Sequence, residues 1–449
     1  MSVLSVLNKP VSATPLALFR LLFGSMMFAG CVRFWSLGWI EEQYLQPVFH
    51  FPYYGFSWVK PLSRELMYAL YFLMTTAAFT LAVGYYTQIS AVIFFLLFTY
   101  FELIDLTYYL NHYYFVSLIA FWLCWLPAGR VLSLDVKRNP GSAISHMPAW
   151  ILYLLRFQVA IVYVYAGLAK MNVHWLFDAM PLKIWLPAQS HWPVVGPLLS
   201  HAFTPWIFSW AGMLFDIFIV FILLSRFCLY GYLLVIVFHS LTGLFFPIGM
   251  FPWIMMLMVW IFFPLSFLEK VRLRMERLFS FTSVIGTVWE APGWTQRIGF
   301  YAIGGYLLFQ LIFPFRYLLY PGDPFWTEQG YRYGWRVMLM EKSGQASFYV
   351  RDKKTGREWE VMNRDFLNAH QEKQMSMQPD MLISFAHFLA DTFSRCGLNN
   401  PSVRVEARVT LNGMPSQLLL DPKIDLTTVQ DGWEHKSYIL PSPYNQFGK

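Results

Sequence analysis

Residues 148–175 read PAWILYLLRFQVAIVYVYAGLAKMNVHW, and from Pro148 to Lys170 the only charged side chains are Arg156 and Lys170. A helix rises about 1.5 Å per residue, so about 20 apolar residues cross a hydrocarbon layer roughly 30 Å thick. The stretch therefore predicts a membrane span. Working outward, eight further apolar runs lie at about 15–38, 66–86, 89–106, 108–126, 205–224, 227–245, 251–268 and 297–318. Composition agrees: 13% of the 449 residues are charged and 57% hydrophobic, against about 25% charged in soluble domains. A soluble protein is excluded.

The charges divide the chain in two. Residues 320–449 hold 15 Lys and Arg and 15 Asp and Glu, so the net charge of +7 belongs entirely to residues 1–319. The expected organisation is a transmembrane domain over 1–319 followed by a soluble domain over 320–449. Between spans the cations gather at 127–147 (Arg130, Lys137, Arg138) and 269–297 (Lys270, Arg272, Arg274, Arg277, Arg297), which follow the fourth and eighth runs. Both connections then share one side, which the positive-inside rule makes cytoplasmic. Nine spans put the N-terminus inside and the C-terminal domain outside, in a lumen or periplasm. The positive charge marks topology rather than nucleic-acid binding. Cys31, Cys124 and Cys228 lie in or beside apolar runs, and with Cys396 they form neither a disulfide framework nor a zinc motif. The N-terminus has no cleavable leader pattern, and its first run is read as an uncleaved span.

Two outer loops, 39–65 and 171–204, are rich in Trp, Tyr, Pro and His and are expected at headgroup depth. Beyond Tyr320, strands are expected at Arg336–Met340, Ala346–Val350 and Glu358–Met362, with a turn at Lys354-Thr355-Gly356. Residues 380–396 have helical spacing and Gly397 as a stop. VRVEARVTL at 403–411 alternates strictly before Asn412-Gly413, a hairpin-turn pair. The fold expected is thus a polytopic α-helical membrane domain of about nine transmembrane helices followed by a small β-rich extracytoplasmic domain, sandwich-like, carrying one or two helices.

A charge at membrane depth costs at least about 2.5–3.5 kcal/mol, so each needs a reason. Lys170 reads two ways: a lysine snorkelling from a helix end, or a base made neutral by apolar surroundings. Glu102 and Asp105 stand three residues apart and invite pairing with Arg20, Arg156 or another buried base. Asp216 and His239 are further polar groups inside apolar runs. No phosphate-binding glycine loop, nucleophile elbow or Cys/His cluster occurs, and no metal is expected.

Several strings are more particular. PLALFRLLFG near the start, LNHYYF at 110–115, VYAGLAKMNVHW at 164–175, FHSLTGLFFPIGMF at 238–251, YRYGWRVM at 331–338 and DPKIDL at 421–426 together resemble the vitamin K-dependent γ-glutamyl carboxylase family, in order and across nearly the whole chain. The resemblance implies a short homologue of a carbon–carbon lyase. Such an enzyme couples O₂-dependent epoxidation of reduced vitamin K, the hydroquinone co-substrate, to addition of CO₂ to a glutamate of an exported protein or peptide. It implies Lys170 as the base toward the hydroquinone, Asn111, His112 and His239 as quinone-binding residues, and Tyr331 and Trp335 as glutamate-recognition aromatics. The family's His at the next segment is replaced by Met340, so Arg332, Arg336 or Lys342 must supply the charge-assisted donor a carboxylate needs. The implied partners are the bilayer, of a bacterial inner membrane or the ER, the quinol and the glutamate-bearing chain, with no nucleic acid. The competing readings are quinol epoxidation without carboxylation and a non-enzymatic transporter or lipid-binding protein.

Overall fold

The computed structural model describes residues 3–246, 248–279, 287–289 and 293–442. Residues 280–286 and 290–292 within the second basic connection and 443–449 at the end of the soluble segment lie outside the described residues, as does the side chain of Arg297. The membrane part comprises α1 (Thr14–Ser36), α2 (Arg64–Val83), α3 (Thr87–Leu103), α4 (Asn111–Leu123), α5 (Ala149–Lys170), α6 (Thr204–Leu224), α7 (Cys228–Phe245), α8 (Phe251–Met258), α9 (Leu265–Phe279) and α10 (Gly293–Ile312).

Among the described residues six helices are long and apolar enough to cross: α1, α2, α5, α6, α7, and Gly299–Leu319, which continues α10. A seventh follows if Phe251–Phe262 and α9, bent by 105° at a short break, make one span. The nine expected spans therefore reduce to six or seven by length. The runs at 89–106 and 108–126 become helices of 17 and 13 residues, about 26 and 20 Å long. Hydropathy counted them as full spans because apolar loop residues such as Leu106 and Leu110 extend the runs past the helix ends.

Small residues set the close crossings. A Cβ on Gly24 of α1 would lie 2.5 Å from the backbone nitrogen of Ala82 on α2, so only glycine permits this approach. At one face, β1 (Pro10–Ser12) pairs antiparallel with β2 (His146–Pro148). Glu269 of α9 accepts from Ser12 Oγ (2.6 Å) and Thr14 Oγ1 (2.7 Å), and Ser145 N donates to Thr287 O at 2.8 Å. The N-terminal segment and both basic connections thus meet at one face. There Arg20 is buried, donating from Nη2 to Leu132 O (2.6 Å) and from Nη1 to Ala128 O (3.2 Å). Arg156 donates to Ile261 O at 3.0 Å. Among the described residues neither arginine pairs with Glu102 or Asp105, since Arg20 lies near the start of α1 while Glu102 is in the last turn of α3 and Asp105 just beyond it.

The C-terminal part is one four-stranded antiparallel sheet, β3 (Lys342–Arg351), β4 (Glu358–Val361), β5 (Ser402–Leu411) and β6 (Gln417–Leu418), in the order β4-β3-β5-β6. It is accompanied by α11 (Ala369–Met375) and α12 (Pro379–Arg395). The alternation in β5 buries Val403, Val405, Ala407, Val409 and Leu411 against α12 through Leu382, Phe385 and Leu389. Helix-on-sheet packing covers the apolar face, so the expected sandwich is replaced by an α+β layer pair; no second sheet faces it among the described residues. Asn412 and Gly413 both have positive φ, +50° and +76°, as the hairpin into β6 requires. The strand expected at Arg336–Met340 is absent. Tyr333, Trp335 and Met338 have φ of +58°, +56° and +53°, incompatible with an extended run. The two outer loops pack into the core of this domain: Phe51, Tyr53, Trp175 and Leu186 cluster with Phe348 and Phe385.

Candidate functional site

Lys170 is the last residue of α5, and Gly167 one turn earlier determines what it meets. A Cβ on Gly167 would fall 2.5 Å from Ile217 Cγ1 and 2.9 Å from Ile217 N, so α5 and α6 touch here. That contact brings Lys170 Nζ to 2.7 Å from Asp216 Oδ2, both side chains at most 8% exposed. Lys170 is therefore a buried, paired lysine rather than a snorkelling one; Nζ also lies 5.4 Å from the Trp175 ring centroid.

The pair lines a cavity of about 90 Å³ with His239, Tyr163 and a wall of aromatic rings that includes Trp175, Phe246 and Phe251. His239 Nε2 stands 2.9 Å from Tyr163 Oη, and its buried Nδ1 has no partner among the described residues. An apolar aromatic chamber with one buried ion pair and one unpaired imidazole nitrogen suits a flat, largely apolar ligand bearing polar oxygens.

Asn111 and His112 are not in this lining. Asn111 instead joins the two domains: Tyr333 N donates to Tyr109 Oη (2.7 Å), Tyr109 Oη to Asn111 Oδ1 (3.0 Å), and Asn111 Nδ2 to Arg336 O (2.9 Å). His112 is buried with its ring 5.8 Å from Phe251, whose other contacts include the His239 ring, also at 5.8 Å. It reaches the chamber through Phe251.

Clamped by Asn111, the 331–338 segment forms part of the chamber's rim, since Val337 and Met338 line it. Trp335 is fully buried and stacks on Tyr114 at 5.0 Å. The three candidate cations differ. Arg332 is engaged by Asp380 and Gln378, and Lys342 Nζ by Glu328 Oε1 and Trp326 O, both at 2.8 Å. Arg336 is buried among Tyr317 (4.0 Å), Phe325 and Tyr331 (both 5.8 Å), with no carboxylate partner among the described residues. Although burial opposes ionisation of Asp380, the Arg332 guanidinium holds its carboxyl well below the usual carboxylate range.

Residue-by-residue reading missed Asp216 as the partner of Lys170, and Tyr163, Val337 and Met338 as lining. Asp216 was visible as the only charge in its span; its partner depends on helix register, which the sequence does not display. Among the described residues, no group of three or more His, Cys, Asp or Glu could hold a metal ion.

Two family models match the chain. The HTTM domain matches residues 8–267, and the vitamin K-dependent gamma-carboxylase lumenal domain matches residues 295–445. The chain belongs to the vitamin K-dependent gamma-carboxylase family. No solved structure matches it. Membership makes the protein an integral membrane member of that family with a lumenal-type C-terminal domain; the second matched region takes in the last candidate span, Gly299–Leu319, together with the α+β part. Family members use vitamin K hydroquinone, O₂ and CO₂ and act on glutamate-containing substrates.

Proposed function

We propose that the protein is a vitamin K hydroquinone-dependent γ-glutamyl carboxylase, with the quinol held in the Lys170 chamber and the acceptor glutamate at its rim. The observation that carries this reading is the buried Lys170–Asp216 pair in the wall of an aromatic cavity. With the proton of the pair passed to Asp216, the neutral Lys170 amine removes a quinol hydroxyl proton, and Asp216 holds it in place. His239, oriented by Tyr163, offers Nδ1 to a second ring oxygen. Reduced vitamin K with O₂ supplies the strong base that takes the γ-proton of glutamate, to which CO₂ adds. The apolar walls keep water from quenching that base. Arg336, the cation left without a carboxylate, receives the substrate γ-carboxylate, and the Asn111 clamp holds its segment against the chamber.

One observation favours the narrower reading, epoxidation alone: two of the three candidate cations, Arg332 and Lys342, are already neutralised. Purified protein given reduced vitamin K, O₂, labelled bicarbonate and a Glu-containing peptide separates the readings. Epoxide with acid-stable label in the peptide is the expected result. Epoxide without label leaves the narrower reading, and neither product overturns both.

A further inference from the structure

A second cavity, of about 80 Å³, lies among α1, α2, α3 and α4 and shares no lining residue with the Lys170 chamber. Its lining changes character with depth. Met27 of α1 and Met74 of α2 come from mid-helix, whereas Glu102 is in the last turn of α3 and Gln43, Tyr44 and Tyr53 belong to the loop beyond α1. That loop contacts the C-terminal domain, Asn368 Nδ2 donating to Glu42 O at 3.3 Å. The polar end therefore stands at the membrane surface on the side of that domain, with the apolar end inside the bilayer.

Glu102 is the unexplained group. Its Oε2 accepts from Ser117 Oγ at 3.1 Å, while its buried Oε1 has no partner among the described residues. The lining contains no Lys, Arg or His. It does contain six tyrosines, and the rings of Tyr44 and Tyr71 pack on Phe101 at 5.3 and 5.1 Å. A carboxylate buried without a cation is costly, and one set among aromatic faces is the environment an organic ammonium prefers. An occupant that brings a positive charge supplies the counter-charge the lining lacks, where an empty site leaves the carboxyl to neutralise by taking a proton.

We infer that this cavity binds a membrane phospholipid with an ammonium head, of the ethanolamine or choline class, with its ammonium at Glu102 and its apolar part toward Met27 and Met74. The Gln43 side-chain amide, at the same end, is available to the phosphate. A neutral hydroxyl amphiphile would leave the carboxylate uncompensated, and an anionic lipid would add repulsion.

Native mass spectrometry on the full-length protein tests this, using phosphatidylethanolamine, phosphatidylcholine and phosphatidylglycerol of identical chains. The ammonium lipids should be retained about tenfold over the glycerol lipid, and Glu102→Gln should abolish the preference. Equal retention, or a preference that survives Glu102→Gln, overturns the proposal. A second arm needs no variant: a long-chain trimethylammonium amphiphile should displace the retained lipid from the wild-type protein, and an alcohol of equal chain length should not. Equal displacement by both overturns it as well. Neither readout depends on quinol oxidation or carboxylation, so failure of that activity leaves this test intact.

Discussion

At the scale of single residues the decisive fact is that Lys170 is paired in the interior. Removing one member of a buried ion pair typically costs about 3–5 kcal/mol, because the other charge is stranded. Lys170→Ala should therefore lower the melting temperature in detergent as well as abolish epoxide formation. The double variant Lys170→Met with Asp216→Leu should recover most of that stability and none of the activity. A Lys170→Ala protein that melts like wild type would show that the pair contributes nothing, and one that still forms epoxide would remove Lys170 from the chemistry. Arg336 makes a separate prediction. Arg336→Gln should raise the peptide KM for carboxylation by about tenfold or more, the loss expected for a charge-assisted contact, while epoxide formation persists. Parallel loss of both products would mean that Arg336 supports the chamber rather than the acceptor. Lys170 could be singled out in the sequence because a charge in an apolar run is conspicuous. Whether it snorkels or pairs could not, since that depends on Gly167 letting α6 approach to contact.

At the scale of elements, the parts that were legible are those with a clean period. Helix α12 and strand β5 fall where spacing placed them, because each buries one face and its apolar residues repeat accordingly. No strand forms at Arg336–Met340 because the conformation of the 331–340 segment comes from tertiary contacts: the Asn111 clamp and the stacking of Trp335 on Tyr114 hold three side-chain-bearing residues at positive φ. The same segment is anchored from the other side by Arg332 on Asp380 at the start of α12. The anchor has a pH signature. Asp380 is held below the unfolded carboxylate value of about 3.9, so its contribution is fully present above that pH and is lost as pH falls toward its folded value. Asp380→Asn should destabilise the C-terminal domain near neutrality by about 3–5 kcal/mol, and the gap from wild type should narrow below about pH 4. Denaturant titrations followed by tryptophan fluorescence at pH 7 and pH 3.5 would check this; a gap that does not change with pH would mean that the carboxylate's charge is not what anchors the segment.

At the scale of the molecule, span number and orientation can be treated separately. Hydropathy counts nine crossings, and helix length supports six, or seven with the bent pair. The difference between seven and nine is the pair α3 and α4, and adding or removing two crossings leaves the parity odd. Seven and nine crossings put the termini on opposite faces, whereas six would put them on the same face; the connections after α4 and around α9 lie with the N-terminal segment. The contacts of Glu269 with Ser12 and Thr14, and of Ser145 with Thr287, place them there directly. With these cationic connections inside by the positive-inside rule, the C-terminal domain faces outward, as its match to a lumenal domain also implies. The cysteines allow a direct test. Cys396 at the end of α12 is exposed, Cys31 and Cys228 are buried, and Cys124 is half-buried. In a Cys124→Ala background, a membrane-impermeant maleimide added to intact bacterial spheroplasts should label Cys396 before lysis. A cysteine placed at Lys137, in the first basic connection, should be labelled only after it. Protection of Cys396 in intact cells would mean that one half of the α3–α4 pair, or the bent pair, does not cross, and the quinol chamber would then have to receive its glutamate from the cytoplasm.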